Sequence, residues 1–310
     1  MTDSFLTVSH QVLILFLLIF LGIVCTKLRV LSASAVKSIT TIVLYVVIPA
    51  VIIHSFDRPF NTKLLCNMTL TFGGAVFAHI VGIISAKVFL KEQDKSRKAV
   101  LQYGVIFSNA GFMALPLQYA VLGEEGVLYG AIFIAVFNII SWTYGVYIMS
   151  IGVNNNSLKK AFFNPGTVGT LIGVILFFTP LSLPPIISET LNKIAVMNVA
   201  LPMMIIGYFL ASTKNLKEFL DAKLALVIIL RLIVVPAIVF SVLYFAGIQS
   251  IVLVVVMIAT STPTAANTVM FAELFERDVD IAAKIVSLST LLSIITIPPI
   301  IALTLHLTNM

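Results

Sequence analysis

Stretches of about twenty apolar residues recur along the whole chain, and few folds can accommodate them. Gln11 to Val24 contains no charged side chain, and similar runs continue to the C-terminal end. Each is roughly 17–25 residues long, enough to cross a hydrocarbon core of about 30 Å. Charged residues make up only 10% of the 310, against roughly 25% in a soluble domain. Mean hydropathy is +1.11. Inside lipid every backbone N–H and C=O must find a partner within the protein, which leaves helices as the simplest solution for such runs. The expected fold class is therefore an all-α integral membrane protein. Ten spans are expected, at 9–27, 36–56, 66–88, 98–120, 126–150, 166–181, 188–211, 221–246, 249–273 and 281–306. Only Asp3 and His10 precede the first run, so it lacks the basic flank of a cleavable signal and reads as a true span.

Charge placement sets an orientation. With the N-terminus outside, the inner loops hold fifteen Lys and Arg residues, including Lys27, Lys87, Lys98, Lys159, Lys160, Lys214 and Lys217. Only Arg58, Lys63 and Lys193 fall outside, and Arg231 lies within a span. Positive residues favour the cytoplasmic side, so both termini are expected to be extracytoplasmic. The net charge of +6 is explained by these loops and does not indicate a nucleic-acid partner. Cys25 and Cys66 are expected near opposite faces, unpaired, and suggest no metal site.

A constant offset relates the two halves. "VLYVVIPAVIIHSF" (43–56) and "VMNVALPMMIIGYF" (196–209) place Pro49 and Pro202 in similar settings, 153 residues apart. The same offset sets Ser108 over Ser261, and Glu124-Glu125 over Arg277-Asp278. Five spans in each half would make the second run in the opposite sense, an arrangement typical of transporters. The expected units are 1–153 and 154–310, two inverted five-helix repeats.

Two matching interruptions lie at the centres of spans four and nine: "FSNAGFMALP" (107–116) and "TSTPTAANT" (260–268). At about 1.5 Å per residue each sits some 15 Å from its span's ends, at the bilayer midplane. Irregular backbone survives there only when buried in protein or lining a cavity. A plain proline kink would explain one such site; a matched pair points to broken helices. The start of each second half-helix would carry about half a positive charge from unpaired N–H groups, a setting that favours anions. Candidate substrate contacts are Ser108, Asn109, Gly111, Thr262, Thr264 and Asn267, with Asn138 in span five. Pro49, Pro116, Pro202 and Pro263 are candidate hinge or crossing positions.

Arg231 lies about ten residues into span eight, where a charge is costly. It could meet substrate or pair with backbone carbonyls. His79 reads as a packing residue, and Ser287, Ser289, Thr290 and Ser293 as a surface for close helix contact. No acidic residue falls near a span centre, so a relay of buried carboxylates is not evident. A buried cation without a midplane acid favours an anionic substrate.

At "SNAGFMALPL" (108–117), "LGEEG" (122–126) and "PTAANTVMFA" (263–272) the chain resembles the auxin efflux carrier family, including its bacterial malate- and malonate-type permeases. The resemblance covers the whole chain. It implies broken spans four and nine crossing at the midplane, with Asn109 and Pro263 on the family's crossover positions. It also implies a scaffold of spans 1, 2, 6 and 7, a moving domain of spans 3–5 and 8–10, elevator-like motion, a homodimer and a bacterial plasma-membrane location. Ser108 stands where the plant carriers have proline. Their long central loop is also missing, which weighs against auxin itself as substrate.

The expected function is a secondary transporter or facilitator for a small organic anion such as malate, malonate or an auxin-like acid, with no cofactor. A sodium-coupled organic-anion symporter of the bile-acid type is the alternative. An intramembrane enzyme lacks any HExxH, GxSxG or clustered carboxylates in the spans. A sensor lacks an attached signalling domain, and a channel lacks a ring of charge.

Overall fold

The computed structural model describes residues 2–57, 62–150, 165–179, 182–212 and 221–308. The 153/154 boundary, the 154–160 link, residues 180–181, Arg58, Lys159, Lys160, Lys214 and Lys217 lie outside the described residues. Helix occupies part of every stretch expected to span: α1 Thr2–Lys27, α2 Ala33–Phe56, α3 Thr62–Phe89, α4 Lys95–Ile106, α5 110–122, α6 124–150, α7 Pro165–Phe178, α8 Pro185–Ser212, α9 Ala222–Phe245, α10 Ile251–Ser261, α11 Asn267–Leu274 and α12 Val279–Leu307. Among the described residues six helical stretches are long and apolar enough to cross a membrane. They are α2, α3, α8, α9, α12 and Ala110–Ser150, which contains α5 and α6. The chain is an integral membrane protein.

Polar side chains mark where helices begin. Ser32, Asp94, Asp221, Ser250 and Asp278 each accept a hydrogen bond from an N–H in the first turn that follows. Such caps satisfy donors that have no partner within the helix. Between α5 and α6 the helix is interrupted by a kink at Gly123, with φ 66° and ψ −153°. Only glycine adopts that conformation without strain, so one residue divides the 41-residue apolar stretch Ala110–Ser150 into a shorter helix, 110–122, and a longer one, 124–150.

Proline accounts for three of the four wide helical turns among the described residues; the fourth, Ser141–Gly145, is not followed by one. Wide turns at Val43–Val47, Ala110–Ala114 and Leu230–Val234 each end two residues before a proline: Pro49, Pro116 and Pro236. A proline inside a helix offers no N–H and crowds the carbonyl four residues back. The chain opens to a five-residue repeat instead, and Ile48, Leu115 and Val235 donate to Val43, Ala110 and Leu230.

Two packing groups position the site. α1 lies against α8, and α2 against both α7 and α8. Gly22 and Gly207 make the α1–α8 seam close: a Cβ at Gly22 would stand 2.4 Å from the Met204 carbonyl oxygen, and one at Gly207 2.2 Å from that of Ile19. Helices in lipid associate through such close backbone approach. In the other group α10 is enclosed by α3, α5–α6, α9 and α12, and every residue from Val252 to Ser261 is buried.

Candidate functional site

The two interruptions meet. Phe107–Asn109 and Pro263–Ala265 run antiparallel and pair as a minimal strand, with Ser108 opposite Thr264. Asn109 N–H donates to the Pro263 carbonyl at 2.7 Å, and Ala265 N–H to the Phe107 carbonyl at 2.9 Å. Asn109 itself sits in an inverse γ-turn, φ −77° and ψ 56°, closed by Ala110 N–H to Ser108 O at 2.8 Å. Each break thus supplies part of the other's missing hydrogen bonding.

One side of this crossing gathers the C-terminal ends of α4 and α10, whose last carbonyls have no helical partner. For α4 all are accounted for. Tyr103 O accepts from Phe107 N–H at 3.0 Å, and Gly104 O from the Thr264 hydroxyl at 2.8 Å. Val105 O and Ile106 O accept from Arg231 Nη1 at 3.0 and 3.4 Å. Arg231 Nη2 donates to Thr260 O of α10. The Thr262 hydroxyl returns to Ala259 O at 2.8 Å, and Ser289 on α12 receives Thr264 N–H at 3.2 Å.

The opposite side presents helix beginnings. Among the described residues, the N–H groups of Gly111 and Phe112 at the head of α5, and of Ala266 and Asn267 at the head of α11, find no acceptor. A cavity of about 320 Å³ lies against them, and none of its lining residues is charged. Asn109, Asn138 and Asn267 bring amides to its wall, while Tyr45, Phe112 and Trp142 supply apolar and aromatic surface. Asn109 Nδ2 and Asn267 Oδ1 are buried without partners. Behind Asn267, the Tyr103 hydroxyl is 2.7 Å from Ser141 Oγ. The result is a small, mostly apolar chamber of ligand-site size with a few polar groups at one end.

Of the expected contact residues, Ser108, Asn109, Gly111, Asn138 and Asn267 line this chamber. Arg231, Thr262 and Thr264 do not. Both threonines are fully buried with their hydroxyls bonded to carbonyls, and Arg231, 2% exposed, occupies the side away from the chamber. Pro263 is in the second break, whereas Pro49 and Pro116 follow wide turns and Pro202 lies buried inside α8. His79 packs among the rings of Phe107, Phe133 and Phe137, and its Nδ1 is 2.7 Å from Ala75 O. Ser287, Ser289, Thr290 and Ser293 are buried, Ser289 at the second break.

Tyr45, Phe112, Trp142 and Met270 were missed as chamber residues. Gln118 was missed as a tie: its Nε2 donates to Val255 O at 3.0 Å, joining α5 to α10. No local signal marks the aromatic wall, though a glutamine inside an apolar run is a cue for an interhelical bond. Cys25 and Cys66 are free, and no group of His, Cys, Asp and Glu suited to a metal occurs among the described residues.

Comparison with known proteins places this geometry in context. The chain is 25% identical to an "Uncharacterized transporter" of Methanocaldococcus jannaschii over 92% of its own length and 95% of that protein's. An "Uncharacterized transporter" of Methanothermobacter thermautotrophicus is 24% identical, with 95% and 97% covered. A Rhizobium meliloti protein named "Putative malonate transporter" is 21% identical, with 94% and 93% covered. The family described as "Membrane transport protein" matches at residues 7–155 and 149–301, nearly the whole chain. Paired helix breaks in an apolar bundle, joined to that match, make the chain a member of the membrane transport protein family, to which the auxin efflux carriers belong.

Proposed function

We propose that this protein is a secondary transporter or facilitator for a small organic anion, a carboxylate, moved by elevator-type alternating access. One observation carries the reading: the beginnings of α5 and α11 converge on a single uncharged chamber with unpaired N–H groups and the unpaired amide nitrogen of Asn109. Each helix start is equivalent to about half a positive charge. Together they offer a carboxylate oriented donors without a competing acidic side chain. The name of the Rhizobium meliloti relative supports the same substrate class.

The architecture in this reading is ten spans in two inverted repeats, 1–153 and 154–310, with both termini extracytoplasmic. Its support is the mutual pairing of two breaks 153 or so residues apart and the shared sequence offset. α1, α2, α7 and α8 form the scaffold and the remaining helices the moving part, in keeping with the two packing groups. The chamber lies between them, walled by Tyr45 and Ile48 of α2 on one side. The protein works as a homodimer in the bacterial plasma membrane, a feature carried only by resemblance.

Purified protein in liposomes tests this. Asn109→Ala should lower carboxylate uptake by about tenfold or more, the scale of one lost buried charge-assisted bond. Asn267→Ala, which removes the amide at the head of α11, should lower uptake less, with both variants remaining folded. Unchanged uptake in both rules out the chamber as the substrate site. Measuring uptake with and without a sodium gradient separates this reading from sodium-coupled symport.

A further inference from the structure

The far side of the crossing has the opposite electrical character from the chamber. The ends of α4 and α10 each concentrate about half a negative charge, close to one full charge together. Carbonyls at such half-helix ends, freed by an unwound backbone, are the groups that hold small monovalent cations in many transporters. Here the acceptors already have a donor supplied by the chain. Arg231 reaches Val105 and Ile106 of α4 with Nη1 and Thr260 of α10 with Nη2, so one planar fork spans both breaks. A guanidinium is permanently charged, holds its donors in fixed directions and is weakly hydrated, which suits it to a site that excludes water.

We propose that Arg231 is the resident cation of the crossing: its guanidinium fills the carbonyl-lined position between α4 and α10 that a small cation could otherwise take, and it joins the two interrupted helices into one body. This rests on the reading of the chain as a transporter whose moving part contains the crossing. The contacts are made by the two Nη groups, and Nε is buried without a partner. The surrounding gap is lined by Ala78, His79, Ser108 and Phe133 and has no room for a water molecule. The position 153 residues before Arg231 is Ala78, in the same gap, where a second arginine would meet the first. His79 approaches with its ring, its Nδ1 committed to Ala75. The charge of Arg231 is therefore set against helix ends and not against a carboxylate. Its role is positioning: it stays bound while substrate comes and goes on the other side.

Amide hydrogen exchange on the purified full chain tests this without any substrate. Arg231→Ala should raise exchange in residues 104–110 and 259–266 together by about tenfold or more, since the Val105, Ile106 and Thr260 carbonyls lose their donor at once. Added guanidinium chloride, at concentrations that leave the wild type folded, should restore protection at both breaks, and Na⁺ should do so in part. Tetramethylammonium, which cannot donate a hydrogen bond, should not. If the alanine variant does not fold, Arg231→Lys serves: it keeps the charge without the fork and should loosen at least one break. Unchanged exchange in these variants, or loosening that guanidinium does not reverse in Arg231→Ala, overturns the proposal. Asn109→Ala should leave this exchange pattern as it is, so a failure of the substrate site and a failure of the resident cation register separately.

Discussion

The two faces of the crossing are made of the same kinds of residue and behave differently. On the chamber face, amides and helix beginnings are left without partners. On the far face, the Thr262 and Thr264 hydroxyls and the two Nη groups of Arg231 pair with carbonyls at the ends of α4 and α10, while Arg231 Nε and the Thr260 and Ser261 hydroxyls are buried without partners. Polar residues at a membrane midplane are often read together as a binding site. Here one set holds broken backbone together, and the other remains available to a ligand. The difference is set by helix direction, because beginnings offer donors and ends offer acceptors.

Substitutions on each face should separate accordingly. The largest stability effect after that of Arg231 is expected from Thr264→Val, which keeps the shape but removes the donor to Gly104 O. A buried carbonyl left unpaired costs about 1–3 kcal/mol, so thermal unfolding in detergent should come several degrees lower. Thr262→Val removes a bond only three residues long and should cost less. A reversal of that order would mean that the link between the two breaks matters little.

On the chamber face, Asn138→Ala should change transport and not stability. The residue is half-buried on the chamber wall, so KM for a carboxylate should rise by a few fold, about 1 kcal/mol of lost hydrogen bonding. A drop in unfolding temperature with normal transport would move Asn138 to the structural set.

The smallest effect lies outside the membrane, in a cluster that ties the α3–α4 loop to the start of α9. Lys223 Nζ is 2.8 Å from Glu92, and Arg97 contacts both Glu92 and Asp221. The Lys223 ammonium, helped by the N–H groups of Asp94 and Gln93, holds the Glu92 carboxyl down at about 2. A carboxyl depressed below its ordinary value of 4.5 adds stability that is full above that value and disappears as pH falls toward 2. Wild type and Glu92→Gln should therefore differ by a constant amount from pH 5 to 8 and converge in acid. Glu92 is largely covered, but its partners Arg97 and Lys223 are 28% and 42% exposed and screened by solvent, so the plateau difference should be about 1 kcal/mol or less.

Much of this arrangement was legible in the residues. The breaks announced themselves because polar residues and proline interrupt apolar runs at mid-length, and a shared offset linked them. Asn109 and Asn267 line the chamber, whereas Thr262 and Thr264 do not. A hydroxyl that caps backbone and one that faces a cavity look alike in sequence. For Arg231, pairing with carbonyls was one of two readings, and only the direction of its fork distinguishes them. Tyr45, Phe112 and Trp142 gave no signal at all: in a membrane the lipid-facing and protein-facing sides of a helix are both apolar, so periodicity fades.

The wide turns before Pro49, Pro116 and Pro236 have a further meaning for residue counting. Each contains one residue more than a regular helix of the same rise would need, a spare link in the chain. Two of them border the chamber, through Tyr45 and through Gly111 and Phe112. Removing a single residue between Tyr45 and Ile48 would return that stretch to regular pitch and leave the helix beyond it nearly in register. The two residues would then be two positions apart, about 200° around the helix, and could no longer both face the crossing. The shape of the chamber thus depends on chain length at these points as much as on side-chain identity, and relatives with a one-residue deletion there should have a differently shaped one.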